Sequence, residues 1–193
     1  MATLVQNSAV WEIHDNFQKQ TYRNRYHICT DRGLHKLSIP VKHTKNENGH
    51  QKYQDVRIET EDRWQIRHWR TLQTAYRTSP FFEFYEDDLA PLFQKKFAFL
   101  LDFNWHCLEF LIAALQITYS KEQTIQFETD YTQGMDMRGL VNAKKRIGIS
   151  FTPYHQVFSD RHGFIPNMST LDLIFNEGPQ ARTYLKNLSL THA

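Results

Sequence analysis

The chain has 193 residues, of which 40% are hydrophobic and 14% aromatic, enough apolar material to close one substantial core. A formal net charge of +2 at pH 7 is well below that of a dedicated nucleic-acid binder, so nucleic acid is not an expected partner. Cys29 and Cys107 lie far apart and outside any metal-ligand spacing, which argues against a disulfide scaffold and a structural zinc site. The sequence has no leader-like start and no apolar run long enough to cross a membrane. We therefore expect one cytoplasmic domain over residues 1–193, with no assigned metal-ligand residues, since no ligand spacing requires a metal.

The first third of the chain is predicted to consist mainly of strands. Alternation of apolar and polar residues predicts four of them, at residues 10–14, 25–29, 34–41 and 55–59. The turn signal Asp31-Arg32-Gly33 separates the second from the third and indicates an antiparallel hairpin. Residues 42–53 carry little to bury and an Asn-Gly turn signal, which predicts an exposed loop.

The remainder is predicted to be mostly helical. Capping and stop signals predict helices at about residues 62–77, 88–101, 102–115, 170–177 and 179–188. The clearest of these has Ser169 in its N-cap position and ends at Gly178. Two further strands are predicted, at residues 124–128 and 147–151. This order of strands, helices, strands and helices predicts an α/β or mixed α+β fold, with a mixed β-sheet packed by several helices.

The segment from Arg23 to Arg25 is the first candidate site. Arg23 and Arg25 flank the amide of Asn24 just before a predicted strand. Two guanidinium groups beside an amide can hold a phosphate or carboxylate bidentately, although surface ion pairs would account for the same residues. No dinucleotide, phosphate-loop, zinc-protease or serine-hydrolase motif is present, so the sequence identifies no cofactor.

Two other groups of side chains are candidates for chemistry. His68 follows Trp64 along one line of a predicted helix, where it could act as an acid or a base, or simply as a structural histidine. Tyr154 and Gln156 lie in a loop before the helix that begins after Ser169, and a helix N-terminus is a natural anion site. Helix capping alone explains Ser169 and Asp172 equally well.

Several ordered motifs resemble those of the WbqC-like family of bacterial proteins. These motifs are Gln20-Thr21-Tyr22-Arg23-Asn24-Arg25, Leu37-Ser38-Ile39-Pro40-Val41, Trp64-x3-His68-Trp69, Ala75-Tyr76-x3-Pro80-Phe81-Phe82, Leu101-Asp102-Phe103-Asn104, and Phe164-x-Pro166-Asn167-x-Ser169-x2-Asp172-Leu173-x-Phe175-Asn176-x-Gly178-Pro179. The chain resembles a short form, without the His-Gln-Pro-x-Tyr type of segment with which members commonly begin. The resemblance implies a role in surface polysaccharide synthesis, including O-antigen, and transfer of an aminoacyl group such as glycine to an amino sugar.

The motifs and the resemblance together predict an enzyme that modifies a sugar precursor by acyl or aminoacyl transfer. In this reading His68 assists proton transfer, and the substrate-binding residues are Arg23, Asn24, Arg25, Tyr76, Tyr154, Gln156, Ser169 and Asp172. The alternative is a noncatalytic protein that binds a phosphorylated sugar, a nucleotide or a protein partner through the same groups. The sequence predicts neither the donor nor the oligomeric state.

Overall fold

The structure, a computed structural model, describes residues 1–42, 51–132, 134–144 and 149–190. Its helices are α1 (Ala2–Gln6), α2 (Trp64–Tyr76), α3 (Phe82–Gln94), α4 (Leu100–Leu115), α5 (Ser159–His162), α6 (Thr170–Glu177) and α7 (Gln180–Asn187), with 3-10 turns at Tyr53–Asp55 and Arg138–Val141. Its strands are β1 (Arg25–Thr30) and β2 (Gly33–Ser38). The predicted class, a domain of mixed helix and strand, is confirmed.

The predicted hairpin is confirmed, with β1 and β2 antiparallel from the pair Arg25 and Ser38 to the pair Thr30 and Gly33. Only two residues connect the strands, and such a tight connection needs backbone angles that ordinary side chains resist. Gly33 supplies one of them, with φ of +87°. The Thr30 hydroxyl donates to the Gly33 carbonyl at 3.0 Å and closes the turn.

The sheet is smaller than predicted, because the described residues form no strand at 10–14, 55–59 or 124–128. The first two of these segments instead make isolated bridges, such as Trp11 with Gln123 and Val41 with Ile58. The alternation has another cause at residues 55–59: Val56 and Ile58 are buried in the core, while Arg57 between them is exposed. Residues 147–148 of the last predicted strand, and 43–50 of the predicted loop, lie outside the described residues.

The helix predicted from Asp62 is confirmed as α2, but Asp62 does not cap it. Arg63 occupies the N-cap position with φ of +41° and makes no side-chain cap, while Asp62 forms an exposed ion pair with Arg67. The helix predicted from residue 88 begins earlier, at Phe82, so Pro91 lies in its last turn and not in its first. None of the helices in the described ranges has the length and apolar character needed to span a bilayer.

The core gathers one face of the hairpin and the inner faces of the long helices. It includes Ile28, Trp64, Leu72, Tyr76, Phe82, Leu89, Leu100, Phe103, Ile174 and Phe175. Full burial of each large apolar side chain contributes about 1.5–3 kcal/mol, so these aromatics stabilise the fold and do not line an open groove.

The junction between α6 and α7 fixes α6 against α3. Gly178 has φ of +50°, and a Cβ there would lie 2.6 Å from the ring of Phe81. The Phe81 amide donates to the Phe175 carbonyl at 3.0 Å. Both contacts require close approach of the two backbones, which holds the last turn of α6 against the start of α3.

Candidate functional site

A buried carboxylate in the first turn of α6 is the centre of the largest polar cluster that the predicted residues form. Asp172 is fully buried. Its Oδ1 accepts from the Tyr76 hydroxyl at 2.6 Å, and its Oδ2 accepts from the Tyr154 hydroxyl at 2.5 Å and from Gln156 Nε2 at 2.9 Å. We call these four residues the Asp172 cluster.

The start of α6 positions this carboxylate. The predicted N-cap is confirmed, since the Ser169 hydroxyl oxygen accepts from the Leu171 amide at 3.3 Å. The Ser169 amide donates to the His27 carbonyl at 2.8 Å, which joins the helix start to β1. Asp172 therefore lies in the first turn of a helix whose dipole favours a negative charge.

Gln156 and Tyr76 connect the cluster to the surrounding backbone. The Gln156 side chain is fully buried, donates to the Ile165 carbonyl at 3.0 Å and accepts from the Ile165 amide at 2.8 Å. The Tyr76 hydroxyl accepts from the Cys29 amide at 3.2 Å while it donates to the carboxylate. The loop before α6, the end of α2 and strand β1 thus share one hydrogen-bond network.

The charge of Asp172 is compensated by donors and not by a cation, since the described residues give it no ion pair. A buried carboxylate needs several such donors to remain stable. Burial, and secondarily the Asp172 charge, raise the pKa of Tyr76 and of Tyr154 well above the ordinary value. Both phenols therefore keep their protons and donate to the carboxylate at physiological pH.

A thiol and an imidazole lie next to the cluster. Cys29 Sγ is 3.7 Å from His162 Nε2, and that nitrogen is also 3.0 Å from the Thr30 carbonyl oxygen. Burial, followed by the Asp172 charge, raises the pKa of Cys29 to about 12, and the residue is 1% exposed. The thiol is accordingly a poor nucleophile in this conformation. Sequence reasoning did not select Cys29 for the site, although it lies in a predicted strand.

Arg23 lies outside the Asp172 cluster, and its positive charge is paired with a carboxylate of the same chain. Its guanidinium pairs with Asp15, with side-chain exposures of 8% and 12%, and donates to the Asn16 carbonyl at 3.1 Å. The Arg23 Cζ atom lies over the ring of Tyr53, 4.9 Å from the ring centroid. Asn104 donates to the Arg23 carbonyl at 2.8 Å. These contacts are those of a buried structural ion pair.

Asn24 and Arg25 retain binding capacity. Asn24 Nδ2 donates to the Ile39 carbonyl at 3.0 Å, whereas Asn24 Oδ1 and Arg25 Nε are buried without a partner among the described residues. The described residues likewise give Arg25 no ion pair. Side chains alternate along a strand, so Arg25 shares one face of β1 with His27 and Cys29. Buried polar atoms of this kind usually have an ordered water or an ion as their partner.

His68 lies on the other side of the hairpin, among aromatic rings. It is 4% exposed, its Nδ1 is 3.2 Å from the Tyr26 hydroxyl oxygen, and its ring lies edge-on to Trp64 at 5.0 Å. Burial is the main cause that lowers the pKa of His68 to about 4, so the ring is neutral at physiological pH. The structure therefore brings Tyr76, Tyr154, Gln156, Ser169 and Asp172 together and leaves Arg23 and His68 in separate surroundings. No three His, Cys, Asp or Glu side chains of the described ranges are grouped as a metal site requires.

The sequence also resembles known proteins over most of its length. It is 27% identical over 205 residues to "Uncharacterized protein Rv1507c" of Mycobacterium tuberculosis, an alignment that covers 90% of this chain and 86% of that protein. No solved structure matches. The model of the WbqC-like protein family matches residues 3–145, a range that contains Tyr76 and ends before Tyr154. With most of its residues inside that match, the chain belongs to the WbqC-like protein family.

Proposed function

We propose that the chain transfers an acyl or aminoacyl group, such as glycine, to the amine of an amino-sugar precursor of a bacterial surface polysaccharide. Membership of the WbqC-like family supports the class of reaction. The observation that carries the proposal is the 2.5 Å contact between the Tyr154 hydroxyl and the Asp172 carboxylate. Tyr154 is half-buried whereas Asp172 is fully buried, so the phenol is the route by which a substrate could reach the carboxylate.

The proposed step is a proton relay that accompanies attack of the amine. The sugar nitrogen forms a bond to the acyl carbon, and the bond from that carbon to the donor's leaving group breaks. The nitrogen gives its proton to Tyr154 Oη as the phenol proton passes to Asp172 Oδ2. The carboxyl proton then returns to Tyr154 Oη as the phenol gives its proton to the leaving group, which restores both residues. The raised pKa of Tyr154 fits this concerted relay, because no free phenolate has to form.

Arg25 is the residue we assign to an anionic part of the substrate, with Asn24 beside it. Arg23 is already paired with Asp15, so we give it a supporting role. Arg25 and Cys29 are four residues apart on one strand face, a separation of about 13 Å. That distance allows a phosphate at Arg25 and a reacting amine near the Asp172 cluster. We assign proton transfer to the cluster and not to His68, because His68 is buried among aromatic rings.

The test is a transfer assay with variants at both ends of the site. Purified protein is incubated with nucleotide-linked amino sugars and with glycyl or acetyl thioesters, and N-acylated sugar is detected by mass spectrometry. Loss of a general base typically costs about 10²–10⁴-fold in rate, so Tyr154→Phe should lower kcat by at least about 10²-fold. Arg25→Gln should mainly raise KM.

The matched control is Tyr184→Phe. The Tyr184 ring lies 5.2 Å from Tyr154, but its hydroxyl donates to the Thr152 carbonyl and not to Asp172. The control should keep the wild-type rate. Full activity in Tyr154→Phe would contradict the relay, and absence of transfer with every donor and acceptor pair would contradict the proposed reaction.

One observation favours a second candidate, a noncatalytic binding protein. Every polar side chain of the Asp172 cluster already has a partner inside the protein, as expected of a structural network. In that case the guanidinium of Arg25, to which the described residues give no ion pair, would still bind a phosphorylated sugar or nucleotide. Saturable binding that Arg25→Gln abolishes, without any turnover, would favour this candidate over the transferase.

A further inference from the structure

We propose that a groove between α3, the end of α4 and the start of α7 is a binding site for a sugar that carries an amine and a phosphate. The groove has a volume of about 580 Å³ and is lined by Phe84, Asp88, Leu92, His106, Phe110 and Arg182, among others. Sites for small molecules commonly have volumes of about 300–1,000 Å³ and combine apolar walls with a few polar groups. No residue of the Asp172 cluster lines this groove.

The apolar wall includes an aromatic ring held in an exposed position. Phe84 is 76% exposed, and its ring lies edge-on to Tyr85 at 4.9 Å, which restrains its orientation. An exposed aromatic ring at the wall of a groove offers an apolar face on which a ligand can pack. The C–H face of a pyranose ring is apolar and flat enough to stack on such a ring, while its hydroxyl groups remain free for hydrogen bonds.

Charges of opposite sign on α3 and α7 indicate which polar groups the ligand should carry. Asp88 follows Phe84 by one helical turn and therefore lies on the same face of α3. The described residues give Asp88 no ion pair. Arg182, on α7, donates from Nη1 to the Gln116 carbonyl at 3.0 Å, and its other N–H groups remain available. Both charged residues line the same groove as Phe84, so a ligand that carries an ammonium and a phosphate could pair with Asp88 and Arg182 there.

The choice of an amino sugar, and not of another ring compound with a cationic and an anionic end, rests on the proposed function. The groove itself does not depend on that function. Binding is therefore measured without turnover, by isothermal titration calorimetry with glucosamine 6-phosphate. Glucose 6-phosphate, which lacks the amine, and glucosamine, which lacks the phosphate, serve as comparison ligands.

We expect saturable binding of glucosamine 6-phosphate that Phe84→Ala weakens at least tenfold. Because Phe84 is exposed, this variant should fold normally. Asp88→Asn should weaken binding of glucosamine 6-phosphate and leave glucose 6-phosphate unchanged, and Arg182→Gln should weaken binding of both phosphates. The matched control is Asp87→Asn, an exposed neighbour on α3 that does not line the groove.

Absence of saturable binding, or equal affinity in the wild type and Phe84→Ala, would overturn the inference. So would capture of a protein partner that Phe84→Ala abolishes, when the sugar phosphate does not bind. The two proposals fail separately. Groove binding that survives in a protein without transfer activity contradicts only the proposed function, and transfer without groove binding contradicts only this inference.

Discussion

Substitution of Tyr76 by Phe should destabilise the protein more than removal of a single buried hydroxyl ordinarily does. The Tyr76 hydroxyl donates to Asp172 and accepts from the Cys29 amide, and all three residues are buried. A hydrogen bond to a charged group contributes about 1.5–3 kcal/mol, and an orphaned buried amide costs about 1–3 kcal/mol. We therefore expect Tyr76→Phe to lower the free energy of unfolding by about 3–4 kcal/mol.

Urea unfolding followed by circular dichroism measures this loss, with two variants for comparison. Tyr154→Phe also removes a donor to Asp172, but Tyr154 is only half-buried and water can replace the hydroxyl, so a loss of about 2 kcal/mol is expected. Tyr85 is buried without a hydrogen bond among the described residues, and Tyr85→Phe should change stability by less than about 0.5 kcal/mol. If Tyr76→Phe were as stable as Tyr85→Phe, the carboxylate would not depend on these donors and the reasoning would be refuted.

Three further predictions follow from buried ionisable groups. Since the folded-state pKa of His68 is lowered to about 4, its contribution to stability is complete above pH 6.5 and is lost as the pH falls towards 4. The loss amounts to about 3 kcal/mol. In urea titrations at several pH values, the His68→Gln variant should not show this loss. Burial raises the pKa of Cys29 to about 12 and the residue is 1% exposed, so iodoacetamide at pH 8 should leave this thiol unmodified until guanidinium is added, and rapid native alkylation of Cys29 would contradict this burial. Arg23→Ala should cost about 3–5 kcal/mol by leaving a buried carboxylate unpaired, whereas Arg67→Ala, which breaks an exposed pair, should cost less than about 1 kcal/mol in the same urea assay.

Turn and capping signals in the sequence predicted correctly those elements that are defined by residues close together along the chain. The β1–β2 hairpin followed from the turn at Gly33, and α6 followed from its cap at Ser169 and its end at Gly178. Alternation was a weaker guide, because an extended segment that packs on helices also buries every second side chain. Val56 and Ile58 do this outside a strand. The Val56 carbonyl accepts from the Leu100 amide and the Ile58 amide donates to the Ala98 carbonyl, both at the start of α4.

The candidate site depended on contacts that local patterns do not encode. The loop residues Tyr154 and Gln156 were expected near the start of α6, and the structure places them there. That Tyr76 reaches the same carboxylate from α2 depends on how the helices pack. The pairing of Arg23 with Asp15 could have been suspected from their proximity in sequence, but its burial follows from the packing of Tyr53 and Asn104 around it.

The sequence separations within the Asp172 cluster have a consequence for folding kinetics. The bond from Tyr154 joins residues 18 apart, whereas the bond from Tyr76 joins residues 96 apart. Closing the longer loop costs about 1.5 kcal/mol more in chain entropy, so the contact with α2 should form after the loop and α6 have come together. Interactions that form after the transition state slow unfolding and leave the folding rate unchanged. The hydrogen bonds of the Tyr76 hydroxyl would then lower the unfolding rate, and so lengthen the lifetime of the folded state, without changing the folding rate.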